Sequence, residues 1–435
     1  MKKTARPLLA QLLTLFLALL LGSPVAGATG RNILFIAIDD MRIDPQALTP
    51  NIDALANVST RYQNAYTTVP VCMGSRVTMM TGLKPSTHGV GLTILSVGGY
   101  LPLMNDPFTT TLPEVMSANG YLSATNGKVN HTQFPSKWDV AQPYTVPFQD
   151  PTDPGPDGTY YQIDVLDPND PNDIHPDQEV ADWAVNFIQN HSGPQPFFLA
   201  IGFYQPHLPW AMPQWAYDLY PAPVPHVPTP GDLDDESDDA VTIAERFVWA
   251  PGVNLYDVID TSGKAADYTG AYLAGISHTD AMVGQVIAAL DASPHGVNTD
   301  VVLWSDHGYH LGEKFHWRKS TLWEPAVKVP LLIRSPAIAA GDVTTPVSLL
   351  DLPPTVLDLA GAPVEPQFEG VSLVGLGTGG SPSPVEIYYG NARAVVSGDF
   401  KNIDYQLNQP GLNHLARYNL VTDPMEETNL TPPGC

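Results

Sequence analysis

The side chains best able to do chemistry fall into short polar clusters, each following an apolar run of strand length. Asp39 and Asp40 follow residues 32–38, Lys128 and His131 follow 121–125, His207 follows 196–202, and Asp306 and His307 follow 301–304. Three carboxylates brought to one point repel one another unless a cation neutralises them, and oxygen donors of this kind suit a hard divalent ion. Calcium is the first expectation and magnesium the second. His307 is the unusual donor, because imidazole is not a preferred calcium ligand. Each pair alone has a plainer explanation, an Asp-Asp turn after a strand or an Asp-His-Gly helix cap. Their joint occurrence after separate strands points to a metal centre.

A different chemistry collects in residues 71–82, Val-Cys-Met-Gly-Ser-Arg-Val-Thr-Met-Met-Thr-Gly. Pro70 places the approach in a loop, and Gly82 can close a short helix. Cys72 then stands at a helix N-terminus, where free backbone N–H groups and the helix dipole favour an anion. Arg76, one turn later, can hydrogen-bond that anion or its acceptor. A nucleophile in a positive microenvironment results, whereas a small buried apolar cysteine would not need Arg76 beside it. The other cysteine is Cys435. A disulfide between the two is the plain reading of the count, and the context of Cys72 argues against it.

These residues need a scaffold that aims strand ends at one place. Strands are expected over 32–38, 121–125, 196–202, 301–304 and 329–333, with helices over 50–57, 75–80, 112–119, 178–190 and about 268–290. Residues 32–38 are apolar after Asn32, the pattern of a strand buried on both faces of a parallel sheet. Alternating strand and helix predicts an α/β layer architecture, in which ligands gather beyond the carboxyl ends of the strands. Two stretches, 139–177 and 220–239, are Pro- and Asp-rich and read as long surface loops. The acidic run 232–239 reads as a solvated loop rather than a calcium site. Residues 346–360 have a helix-like Leu/Val pattern, and a small C-terminal α+β subdomain is expected over 361–435, after a catalytic domain over 29–360.

Residues 1–28 read as a secretory signal peptide: Lys2, Lys3 and Arg6, an apolar run over 8–21, and a small-residue end cleaved near Ala28. That run is shorter than the roughly 20 residues a membrane span needs, so stable membrane insertion is not expected. Export to a periplasm or to the medium is. The formal net charge is -25, which excludes nucleic acid and anionic membrane surfaces as partners. An anionic substrate would have to be drawn into a local positive pocket against that field.

The Cys72 segment resembles the type I, formylglycine-dependent sulfatases of the alkaline-phosphatase-like superfamily, whose pattern is Cys-x-Pro-Ser-Arg with Thr-Gly six residues after the serine. Cys72, Ser75, Arg76, Thr81 and Gly82 match it, while Gly74 stands where the pattern has Pro or Ala. Ser305-Asp306-His307-Gly308 and the closing stretch 419–430 are also similar to the family. Residues 127–131, 205–209, 311–313 and 317–319 look closest to its iduronate-2-sulfatase-like branch.

The resemblance implies a large mixed, mostly parallel sheet sandwiched by helices, and an enzyme that removes sulfate from a sulfated saccharide. It implies that a formylglycine-generating enzyme converts Cys72 to formylglycine (3-oxoalanine). Asp39, Asp40, Asp306 and His307 would hold the cation with an oxygen of the modified residue 72. Arg76 would steady the hydrated aldehyde, Lys128 and Lys319 would contact sulfate oxygens, and His207 would bind the substrate and protonate the leaving oxygen. His131 would serve as the base that lets the aldehyde re-form as sulfate departs, with His310 and His316 as substrate contacts. Two alternatives stay open on sequence grounds. One is a phosphonate monoester or phosphodiester hydrolase of the same superfamily, and the other is an unmodified protein that binds sulfated glycans without turnover.

Overall fold

The computed structural model describes residues 30–431 except 91–96, 107–108, 145–162, 167–174, 222–223, 225–230, 246–253, 377–383 and 407–413. The expected signal peptide, Cys435 and parts of both long loops lie outside the described residues.

The main sheet contains β1 (Asn32–Ile38), β2 (Thr60–Tyr62), β3 (Leu122–Gly127), β4 (Val140–Ala141), β5 (Phe197–Phe203), β6 (Thr299–Ser305), β7 (Leu331–Arg334) and β8 (Gly341–Val343). Their order across the sheet is β8-β2-β7-β6-β1-β5-β3-β4. All run in one direction except β7, which is antiparallel to both neighbours, so the sheet is mixed and mostly parallel as expected.

Strand β1 is central because every one of its residues is apolar or small enough to be covered on both faces, and all are buried. Its side chains alternate between two cores. Leu34, Ile36 and Ile38 pack with α4 (Pro176–Asn190) and α5 (Ala265–Ala292), while Ile33, Phe35 and Ala37 pack with α2 (Cys72–Thr81), α3 (Leu112–Ala118) and α6 (Leu352–Leu359). A first helix, α1 (Pro50–Ala56), covers part of the former face. Fully burying each such Leu, Ile or Phe contributes on the order of 1.5–3 kcal/mol. Helix α5 is long and apolar enough to cross a membrane, but Tyr272, Ile276, Val283 and Val286 on it are buried in the first core.

Register brings the site together. Ile38 pairs with both Phe203 and Ser305, and Gly127 pairs with Gly202, so β1, β3, β5 and β6 end at nearly one level. The residues that follow them emerge side by side.

Beyond Gly361 the chain forms a four-stranded antiparallel meander, β9 (Val385–Tyr389), β10 (Ala392–Ser397), β11 (Phe400–Asp404) and β12 (Leu415–Asn419). Its buried face, including Val385, Ile387, Ala394, Ile403 and Tyr418, packs on Tyr66, Leu322 and Trp323 of the main body.

Two expectations are corrected. The strand expected over 329–333 is two: Lys328–Val329 pairs with Ala65–Tyr66, and β7 begins only at Leu331. Pro330 between them has no N–H for a ladder, which accounts for the break. The acidic run 232–239 is not a solvated loop throughout. Asp232 and Glu236 are buried, with Oδ1 and Oε1 lying 2.9 Å and 3.1 Å from Lys314 Nζ, and 238–245 is a helix. Lys314 is itself buried, and a buried ammonium demands such partners.

Candidate active site

Helix α2 begins at Cys72 itself, with Val71 as its N-cap and Gly82 in the left-handed conformation (φ 65°) as its C-cap. Cys72 is free and buried. Its Sγ lies 2.9 Å from Lys319 Nζ, 3.3 Å from His307 Nε2 and 3.8 Å from Asp40 Oδ1. Burial and Asp39 push the thiol pKa up, but Lys319, Lys128 and His307 outweigh them and leave it below its ordinary value. The positive microenvironment expected at Cys72 is therefore present, and lysine supplies most of it. Gly74 in the same helix has no room for a side chain, since a Cβ there would stand 2.8 Å from Val69 Cγ1.

Four strand ends deliver the remaining groups. After β1, Asp39 faces Arg76 (Oδ1 to Nη2, 2.9 Å) and Lys128 Nζ, which hold its pKa well below the usual carboxylate range although burial opposes them. Asp40 turns through a left-handed φ of 61°, which lets its N–H donate to Asp306 Oδ1 (3.1 Å) while its carbonyl accepts from Tyr272 Oη (2.7 Å). Its carboxylate lies 2.6 Å from Lys319 Nζ, yet burial raises its pKa to about 6. After β3 comes Lys128, whose ammonium lies 4.5 Å from the centre of the Tyr204 ring. Its height is set by Gly127 (φ 77°) and Gly202. A Cβ on Gly127 would stand 2.1 Å from the Gly202 carbonyl oxygen, and one on Gly202 would stand 2.1 Å from the Lys128 carbonyl carbon.

After β5, His207 donates Nδ1–H to the Leu208 carbonyl (2.5 Å) and turns Nε2 toward Asp40 Oδ2 at 3.9 Å. Burial, Lys128 and Lys319 keep its pKa well below the usual value. After β6 come Asp306 and His307, both fully buried. Lys319 arrives separately, on a loop whose flanking residues Arg318 (φ 80°) and Ser320 (φ 79°) are both left-handed. That loop is tied to the approach to Cys72 by the Ser320 N–H donating to the Pro70 carbonyl at 3.2 Å.

The donor set fits a divalent cation. His307 Nδ1 donates to the Gly308 carbonyl (3.0 Å), so Nε2 of the neutral ring carries a lone pair. That lone pair faces Asp40 Oδ1 at 3.3 Å, Asp306 Oδ2 at 3.6 Å and Cys72 Sγ at 3.3 Å. Burial pulls the His307 pKa down, but Asp306, Cys72 and Asp40 raise it to about 9, so with no cation the ring takes a proton at Nε2 and a bound cation would replace it. Ligand atoms of Asp39, Cys72, Asp306 and His307 all lie within 4.8 Å of one another.

Arg76 is near enough to Cys72 for their charges to interact, and its described hydrogen bonds go to other groups. Its Nε bonds Asp306 (2.8 Å), Nη2 bonds Asp39, and Nη1 bonds the carbonyls of Lys128 and Val129; none of these described bonds goes to Cys72. A fully buried guanidinium between two carboxylates is a brace for them. His131 is exposed at the rim, its ring edge-on to Tyr100 with centroids 6.2 Å apart. His310 and His316 are not substrate contacts in this geometry. Both are buried, His310 between the Glu313 carbonyl and Thr321 Oγ1, His316 between the Ala244 and Lys319 carbonyls. They shape the loop that carries Lys319. Tyr204 and Tyr272 also contact groups of the site without a sequence signal of their own, although Tyr204 follows an apolar strand as the charged residues do.

Comparison with known proteins gives a consistent result. The family profile described as Sulfatase matches residues 31–362. The chain is 34% identical over 374 residues to a sulfatase of Formosa agariphila, covering 79% of this chain and 72% of that protein. It is 30% identical over 401 residues to the iduronate 2-sulfatase of Mus musculus, covering 77% and 70%. Among solved structures, one determined in complex with its substrate D-glucosamine-2-N,6-O-disulfate has a TM-score of 0.68 at 21% identity, covering 92% of this chain and 93% of that one.

Proposed function

The chain belongs to the sulfatase family and is a sulfuric ester hydrolase, and from that premise we propose that it removes sulfate from a sulfated saccharide, with residue 72 working as formylglycine beside a calcium ion. The observation that carries this reading is the convergence of Asp39, Asp40, Asp306 and His307 on residue 72, with Lys128 and Lys319 at the same place. The saccharide rests on the similarity to iduronate 2-sulfatase. Magnesium is the second choice of ion.

In this reading Cys72 Sγ marks where the oxygens of the converted side chain stand. Asp39, Asp40, Asp306, His307 and one of those oxygens would hold the cation, which when bound supplies positive charge against the sulfate and a lowered pKa for a bound hydroxyl. The protein's own groups do the rest. Arg76 braces Asp39 and Asp306 so that their spacing survives turnover. Lys319 and Lys128 neutralise sulfate oxygens in a water-poor pocket, where preorganised charge has its largest effect. His207, with Nδ1–H committed to Leu208, turns the Nε2 lone pair toward the site, where a proton taken up once the anionic ester is bound would pass to the departing oxygen. His131 at the rim is the base for the return step. A formylglycine-generating enzyme would act on Cys72 before folding buries it, and the leader over 1–28 would take the protein to the periplasm or the medium.

Mass spectrometry of the peptide spanning Cys72 tests the reading, together with sulfate release from a sulfated disaccharide by wild type and Cys72→Ala. The expected outcome is an aldehyde at residue 72 and no turnover by the variant. A thiol in active enzyme would sink it.

A further inference from the structure

We infer that Tyr204, clamped by Asp177, is a positioning residue for sulfate ester hydrolysis, seating Lys128 and His207 together. The inference rests on the proposed roles of those two residues. Tyr204 is fully buried just beyond β5. Its ring touches both: Lys128 Nζ lies 4.5 Å from its centre, and the His207 ring lies 4.8 Å away, centroid to centroid. Its hydroxyl donates to the Leu208 carbonyl at 2.7 Å, the same oxygen that accepts His207 Nδ1–H at 2.5 Å. The His207 N–H in turn donates to the Tyr204 carbonyl at 2.9 Å. One side chain thus sets the lateral position of the ammonium and, through a shared acceptor, the tautomer and direction of the imidazole.

Tyr204 is itself fixed from behind. Asp177, fully buried in the first turn of α4, accepts the Tyr204 N–H on Oδ1 (2.7 Å) and the Gln205 N–H on Oδ2 (2.9 Å). Burial raises the Asp177 pKa to about 7 against the helix N-terminus and the two backbone N–H donors, which favour its carboxylate and fix the exit of β5 where it turns toward His207. Asp177 touches none of the proposed reacting groups in the described bonds, so it acts through Tyr204.

Leaving-group dependence tests this. 4-Nitrophenolate leaves with little help from an acid, whereas phenolate needs its oxygen protonated. Tyr204→Phe keeps the ring and core volume but removes the bond to Leu208. We expect kcat to fall about tenfold on phenyl sulfate and no more than about twofold on 4-nitrophenyl sulfate. Asp177→Asn should show the same contrast, and Tyr204→Leu should in addition raise KM on both esters by removing the face under Lys128. Equal losses on the two esters by the Phe and Asn variants would mean general loosening and overturn the assignment. Wild type that releases sulfate neither from these esters nor from a sulfated disaccharide would overturn the functional reading and this inference with it.

Discussion

Lys319 Nζ stands 2.9 Å from Cys72 Sγ, and the same nitrogen lies 2.6 Å from Asp40 Oδ1. One ammonium thus bridges the nucleophile's position and a proposed metal ligand. Replacing Lys319 by Ala should lower kcat/KM for an aryl sulfate by on the order of 10²–10³, with the protein still folded. Steady-state kinetics with circular dichroism on the same sample checks both halves. Loss of less than about tenfold would remove Lys319 from the site's essential charges.

Chelation should abolish turnover without unfolding the protein. Arg76, Lys128, Lys319 and His307 already pair with Asp39, Asp40 and Asp306, so removing the cation leaves no bare cluster of anions. Calcium added to the stripped protein should restore activity and raise the melting temperature, by about 2.7 kcal/mol of stabilisation at a hundred times Kd. Full activity after exhaustive chelation would refute the metal centre.

Gly74 yields a packing prediction. Its missing side chain leaves space taken by Val69, whose Cγ1, Cβ and Cγ2 would lie 2.8, 3.0 and 3.1 Å from a new Cβ, so rotating the valine does not clear it. Gly74→Ala should cost about 1–3 kcal/mol from overpacking, more than the roughly 1 kcal/mol gained in helix propensity. In a Val69→Ala background, which removes both Cγ contacts and keeps the one to Cβ, the same change should cost less. Thermal melts of the four proteins give the coupling directly, and a higher Tm for Gly74→Ala alone would contradict the contact.

Glu426 should make stability depend on pH. Burial raises its pKa to about 7, against the pull of Lys401 Nζ at 2.8 Å and with Glu324 nearby adding to the rise. The folded protein therefore binds this proton more tightly than the unfolded chain does. Its contribution is full below the unfolded carboxyl pKa and declines as pH rises toward 7. Wild type should lose melting temperature between about pH 5 and 8 relative to Glu426→Gln, and parallel curves for the two would show that the site does not titrate there.

What could be read from the chain was whatever the backbone period dictates. Strand β1 is apolar at every position after Asn32 and ends abruptly at Asp39, so its burial and its polar exit both show in sequence. The start of α2 at Cys72 and its end at Gly82 follow from Pro70 and a left-handed glycine. The placement of Lys319 has no such signal: its loop is held by left-handed Arg318 and Ser320 and by contacts to residues far away in sequence. Asp232 and Glu236 read as solvated because charge usually is, and only the buried Lys314 reverses that. Tyr204 carries no signal of its own, because an aromatic after an apolar strand looks like more core.

The C-terminal meander grips the segment that carries Lys319. Lys401 on β11 bonds Glu324, Tyr418 on β12 and Trp323 both lie against Lys314, and Leu322 and Trp323 are buried beneath the meander. The stretch matching the family profile, 31–362, is therefore not a portable catalyst. Trimmed to those limits, it would uncover an indole, strand Glu324 without Lys401 and unfasten one wall of the pocket. In this protein the terminal appendage is part of the engine housing.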